Sequence, residues 1–333
     1  MPTSHTASAF VSPIRIQGVW ALWFLLSPGV LCAQIYWDHG ANNNRWGSAG
    51  NWRPNGVPGA GDDIIFDNTY DADLPTTIEL RGNRSANSLT IDLDETFSIV
   101  NGTGSRILTL TSGDITRTAG SSGTQTLAMT ELALGGDSLM NIGGTGSLTI
   151  SSEISGAYSL TKSGAGELIL SGANTFSGGV TVSAGTLTLS NASALGTGNV
   201  TLAGGTLRLN ALNVSVGTLS VTGNSTIDFS GVSTLNLTNF SISAGVTLNI
   251  INWTAASDFF YTTNWTGATK DVMGSAPMNQ ITFSGYTASV TGWDGWDNQI
   301  RPHVPEPSVY GAILFGALAG LMAWRRVRGR PAA

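Results

Sequence analysis

A five-residue phrase recurs at a nearly constant interval in the middle of this 333-residue chain. Gly146–Ile150 reads GSLTI, Gly166–Leu170 GELIL, Gly185–Leu189 GTLTL and Gly205–Leu209 GTLRL, with starts 20, 19 and 20 residues apart. Weaker echoes follow at Gly217 and Gly245. A fixed period near twenty residues belongs to solenoids. Within a period, strand alternation sends Leu187 and Leu189 inward and Thr188 outward, while Gly178-Gly179 and Gly204-Gly205 give the freedom for corners. A lone coil buries too few apolar side chains to offset the entropy of ordering some twenty residues. Only stacking on neighbours completes both core and hydrogen-bond ladders. A sandwich would also use short strands, but it does not require the period.

Composition agrees with many short strands. Only 11% of residues are charged and 43 are glycine, too apolar for a disordered chain. All twenty-one acidic residues but only ten basic ones fall between Gln34 and Ser308, a net charge of −11. Such an acidic body argues against nucleic acid as a partner. The single cysteine, Cys32, leaves no disulfide framework.

The stretch Leu160–Gly179, LTKSGAGELILSGANTFSGG, continuing to Ala184-Gly185-Thr186-Leu187, resembles an autotransporter-associated β-strand repeat. The resemblance covers about thirty residues well and its neighbours loosely. It implies a parallel β-helix on a bacterial surface, and no chemistry. Asn174 is then expected at a corner, either in an amide ladder or as a simple turn residue. From Ile78 to Ile250 the period gives about eight or nine coils, a rod roughly 40 Å long.

Both ends carry export signals. Met1–Ala33 reads as a secretory signal: Arg15, then the apolar Val19–Leu26, then Pro28-Gly29 before Leu31-Cys32-Ala33. Cleavage by signal peptidase is expected between Ala33 and Gln34. Leu31 before Cys32 argues against a lipoprotein site. At the other end, Pro305-Glu306-Pro307 precedes an apolar run, Val309–Trp324, and then Arg325, Arg326, Arg328 and Arg330. Sixteen residues make about 24 Å of helix, just short of a roughly 30 Å hydrocarbon core. The arginines place its end in the cytoplasm. This three-part arrangement resembles a PEP-CTERM sorting signal. The resemblance implies a Gram-negative-type envelope and an exosortase-type membrane protease acting at Pro305-Glu306-Pro307, so that anchorage in the inner membrane is transient.

The expected fold is therefore all-β, a right-handed parallel β-helix (β-solenoid) with aromatic-rich caps, plus one short C-terminal transmembrane helix. The expected boundaries are a signal peptide over 1–33, a Trp-rich N-terminal cap over 34–76 and solenoid repeats over 77–250, best over 160–210. A C-terminal cap over 251–303 and a sorting segment over 304–333 complete the chain. Trp37, Trp46 and Trp52 are expected to seal the first coil, with sugar stacking and a calcium site at Asp62, Asp63, Asp67, Asp71 and Asp73 as functional rivals. In the C-terminal cap, Trp293 and Trp296 are candidate carbohydrate contacts.

β-Helices also host polysaccharide lyases and hydrolases, which need clustered carboxylates, or acids beside Arg or Lys. Between Thr118 and Phe229 the acids are only Glu131, Asp137, Glu153, Glu167 and Asp228, and the bases only Lys162 and Arg208. Glu167 is expected to face solvent. His39 and His303 stand at opposite ends. No catalytic or metal constellation can be assembled from these, and no cofactor is expected. The expected function is a non-enzymatic structural or adhesive surface component, whose Thr, Ser and Asn faces meet exopolysaccharide or other surface proteins. A carbohydrate-binding or polysaccharide-active module is the alternative.

Overall fold

The computed structural model describes residues 32–70, 74–270, 276–286 and 291–302. They form an all-β solenoid of the right-handed type with about nine turns. Two long sheets run its length, parallel except for the antiparallel pair at the first edge of one of them. The first has twelve strands, ordered from Trp52–Arg53 and Ala33–Trp37 at one edge to Phe259–Trp265 at the other; the second has ten, from Thr77–Glu79 to Ile281–Phe283. Between them the inward leucines stack in register. Leu148, Leu168, Leu187, Leu207 and Ile227 follow one another coil by coil, all essentially inaccessible to solvent. The five-residue phrase is thus one strand of the ten-stranded sheet, repeated.

A third wall exists only in the first coils. Arg84–Ala86, Ile107–Leu110, Glu131–Leu134 and Glu153–Ser155 make a four-stranded sheet. There Asp63 pairs with Ser88, Leu89 with Ile115 and Ile115 with Met140, so along the twelve-stranded sheet each turn takes twenty-five or twenty-six residues. Beyond Ser155 the third strand gives way to a corner, and the step falls to twenty, from Leu160 to Val180 to Val200. The uneven spacing of the sequence before Gly146 is this longer coil. The long sheets also run past residue 250, because Phe259–Trp265 and Ile281–Phe283 are their last strands. The aromatic segment after Ile250 therefore carries strands of the solenoid.

The shortened corner is held by Asn174, which is 4% exposed. Its Oδ1 accepts the Ile154 N–H at 2.8 Å and its Nδ2 donates to the Ala194 carbonyl at 2.6 Å. The side chain ties its own coil to the coils on either side, and its partners are backbone groups, not another amide. Phe176, fully buried, fills the space beside it.

The corner at or just before the start of the phrase imposes a different demand. Gly144, Gly164 and Gly185 adopt φ of 75, 72 and 63°. A Cβ on them would lie 1.9, 2.5 and 2.4 Å from carbonyl oxygens of Ser121, Ile142 and Gly164, so a side chain is excluded on both counts.

The ladder edges are closed at both ends. At the first end, Glu79 donates to the Asn44 carbonyl and Trp46 donates to the Glu79 carbonyl. Trp37, Trp46 and Trp52 are fully buried, and Trp52 meets each of the other two at 4.9 Å between ring centroids. At the last end, Thr262 donates to the Asn298 carbonyl and the Thr291 hydroxyl to the Ile281 carbonyl at 2.9 Å. These contacts cover strands that would otherwise present open edges.

Candidate functional site: the outer faces of the solenoid

In the coils from Leu160 to Ser243 the outward positions of the twelve-stranded sheet form a neutral hydroxyl surface. Thr161, Thr181, Thr201, Ser220 and Ser241 stand in one file, one residue per coil. Ser163, Ser183, Ala203, Thr222 and Ser243 follow two residues on, and none of the ten is charged. Ladder spacing sets neighbours in a file about 4.8 Å apart. Farther along the same sheet an amide pair continues the pattern, Asn264 Nδ2 donating to Asn239 Oδ1 at 3.1 Å.

The ten-stranded sheet gathers charges that are distant in sequence. Glu167 Oε1 accepts from the Thr188 hydroxyl at 2.5 Å and from Arg208 Nη1 at 2.7 Å. Arg208 Nε donates to Asp228 Oδ2 at 2.9 Å. The other Asp228 oxygen accepts from Ser230 and from Asn252 Nδ2. Thr188, expected to be free on the outside, is only 6% exposed beneath this network. The outward direction is right, but Glu167 and Arg208 cover the position. Sequence spacing hid the cluster because its members come from different coils.

Within the cluster both Asp228 oxygens are bonded. Burial pushes the Asp228 carboxyl up, but hydrogen bonds from Ser230, Asn252 and Arg208 outweigh it and hold the group below the usual carboxylate range. An acid held ionised has no proton to give at neutral pH. Elsewhere Glu131 accepts the Ser155 hydroxyl and Glu153 the Thr175 hydroxyl, each bridging successive coils.

Two basic residues face the interior. Lys162 is fully buried, and its Nζ donates to the carbonyls of Ser163, Gly164 and Ala184 at 2.7, 2.8 and 3.1 Å. Burial brings its ammonium down to about 8. Arg117, 1% exposed, donates to Gln125 Oε1 and to the carbonyls of Gly123 and Gly143. Burial lowers its guanidinium also, partly offset by Asp94. Their signal was in the sequence, since Lys162 shares the inward parity of Leu160 and Arg117 that of Ile115.

The residues singled out from sequence are dispersed. Ala33 and Gln34 are exposed in the first strand. Pro305, Glu306, Pro307, Arg325, Arg326, Arg328 and Arg330, and the expected helix Val309–Trp324, lie outside the described residues. Among the described residues no helix is long and apolar enough to cross a membrane. Trp296 is 96% exposed, but Trp293 is 6% exposed. The Trp293 indole N–H donates to the Thr262 carbonyl at 3.1 Å and Lys270 lies over its ring. Trp293 therefore offers no open ring face to a sugar, because it closes the last strand of the solenoid. Asp62 accepts from the Gly59 N–H, Asp63 from Asn87 and Ser88, and Asp67 from Thr69; Asp71 and Asp73 lie outside the described residues. Among the described residues no three metal-ligating side chains converge.

Residues 160–189 match the family model described as the passenger-associated-transport-repeat. Over 50 residues, 15% of this chain, the sequence is 48% identical to the adhesin BmaC autotransporter of Brucella suis biovar 1 (strain 1330). That stretch spans 2% of the adhesin. No solved structure matches the chain. The matched residues begin in the strand Leu160–Ser163 and end with Leu189, so they include the Asn174 corner and the Lys162 cradle. In these coils the chain is similar to repeats of autotransporter passengers, set in a β-solenoid that extends well beyond the match.

Proposed function

We propose that this chain is a non-enzymatic, exported surface rod of a Gram-negative-type bacterium, with a structural or adhesive role. The observation that carries the reading is the charge-free hydroxyl face, held in register over successive coils of an otherwise acidic chain. A rigid ladder fixes the positions of these groups, and threonine adds a stiff χ1. Many identical weak contacts along a rod then act together on a long partner such as exopolysaccharide. The similarity to an adhesin over one short stretch supports the same setting.

The rod reaches its place, in this reading, by signal peptidase cleavage before Gln34 and exosortase-type processing at Pro305-Glu306-Pro307. Its transient membrane span is Val309–Trp324, oriented by Arg325, Arg326, Arg328 and Arg330. The test is fractionation with intact-mass analysis of the wild type and a variant with alanine at 305–307. The variant is expected to stay in the inner membrane at full length. Retention of Val309–Ala333 in wild-type protein at its final location would replace sorting by a plain tail anchor. Adhesion is tested by binding of the purified rod to matrix from the producing cells. A double variant, Thr181→Lys and Thr201→Lys, should lose that binding while remaining folded, and unchanged binding would overturn the hydroxyl face as the contact surface.

The second reading, a carbohydrate-binding module, is favoured by one specific place: an aromatic cleft at the C-terminal end of the solenoid.

A further inference from the structure

Where the last strands close, Trp253, Ala255, Phe259, Tyr286, Gln299 and Arg301 line a cleft of about 270 Å³. Its walls are fixed rings. Trp253 packs edge-on against Phe229 and Phe283, each at 5.0 Å between centroids. Phe259 lies parallel to Tyr261 at 5.6 Å. The rim at Ala255 is exposed and bears no more than a methyl group.

Gln299 is the polar group that points to a ligand. It is 6% exposed, and its Oε1 accepts from Arg301 Nη1 at 3.1 Å. Among the described residues its side-chain N–H groups have no hydrogen-bond partner, although the residue lines the cleft. These N–H groups meet no protein acceptor among the described residues and can donate to a molecule that enters the cleft. The Trp253 indole N–H is itself buried, with no hydrogen-bond partner among the described residues.

The charge balance selects the kind of ligand. Arg301 is bonded to Asp294 and lies 3.5 Å from Asp297, so two carboxylates offset its charge. The cleft therefore holds no surplus positive charge for an anion. Nor does it hold a catalytic acid: the Trp296 backbone N–H, with help from Arg301, keeps the Asp294 carboxyl below its usual range. The half-buried rings of Phe259 and Tyr286, the open Gln299 donor and the compensated charge fit a molecule with apolar C–H faces and oxygen acceptors.

We propose that this cleft binds one neutral sugar residue of a surface polysaccharide, packed against the half-buried rings of Phe259 and Tyr286 and accepting a hydrogen bond from Gln299. The site rests on the carbohydrate-binding reading and names its partner as an uncharged glycan. It binds without turnover.

The experiment is calorimetry and tryptophan fluorescence on the intact mature protein, with hexasaccharides of cellulose, starch and xylan and a hexa-uronate. At least one neutral oligosaccharide should bind, and the uronate should not. Ala255→Trp fills the cleft from its exposed rim and should abolish binding with the circular dichroism spectrum unchanged. Gln299→Ala should weaken binding at least tenfold; if that variant unfolds, Ala255→Trp decides. Trp296→Ala should have no effect. The proposal is overturned if no neutral oligosaccharide binds, if the uronate binds more tightly, or if Trp296→Ala removes binding that Ala255→Trp leaves intact. Cleft failure with the rod still displayed on intact cells leaves the surface reading standing. A rod that binds sugar in solution yet never reaches the surface removes that reading and leaves the cleft.

Discussion

The Thr188 hydroxyl donates to Glu167, twenty-one positions earlier in the chain, at 2.5 Å. Arg208 in turn reaches the same carboxylate oxygen from the next coil. Thr188→Asp would set a second carboxylate against Glu167 and remove the hydrogen bond. The expected loss is about 1–3 kcal/mol in urea unfolding. Thr181→Asp, on the neutral face of the other sheet, should stay within about 0.5 kcal/mol. Equal effects at the two positions would show that the network over Thr188 carries no stability.

Leu189→Asp is a different kind of lesion. Leu189 is fully buried and a carboxylate there has no partner, so the expected cost exceeds about 4 kcal/mol and the repeat region should unfold. Retained cooperative melting near the wild-type temperature would contradict the inward assignment.

Asn174 offers a test with a pH signature. Asn174→Ala leaves the Ile154 N–H and the Ala194 carbonyl without their partner, at an expected cost of about 2–4 kcal/mol. Asn174→Asp keeps the acceptor, but its ionised form repels the Ala194 carbonyl, so its folded-state pKa is raised. A raised pKa makes the ionised form the costly one, and the loss grows as pH rises above the unfolded value of about 3.9. Unfolding at pH 4 and pH 7 should therefore show this variant closer to wild type at the lower pH. A gap that is the same at both values would mean that the side chain does not bridge the coils.

Lys162 predicts a slope on the alkaline side. Its ammonium is brought down to about 8 by burial, below the unfolded value of about 10.4. Between those values the unfolded chain binds more protons, so stability rises with pH. Relative to Lys162→Met, wild type should gain on the order of 2–3 kcal/mol from pH 7.5 to pH 10.5. A flat difference would show that the three carbonyls compensate fully for desolvation.

How much of this could be read from residues depends on where a coil's information is local. The leucine phrase, its parity and its glycine corner are complete within five residues, and the coils from Leu160 to Leu209 follow directly. The three-walled coils were harder, because the strand Glu131–Leu134 has no phrase of its own and the longer step blurs the period. The Glu167, Arg208 and Asp228 network was invisible for a related reason, since its members meet only when three coils are in register. The fates of Trp293 and Trp296, three residues apart, differ because one closes a strand and the other sits in a turn. Composition cannot distinguish them.

The change from three walls to two also has an evolutionary reading. Both long sheets pass through it with their pairing unbroken, so the third side is the margin of the molecule at which length can be gained or lost one turn at a time. Insertions there disturb a single corner, whereas an insertion in either long sheet shifts every inward side chain that follows to the wrong face. Relatives built on this plan should therefore differ most along that one flank. An antibody raised against the flank would discriminate between variants that share the two long walls.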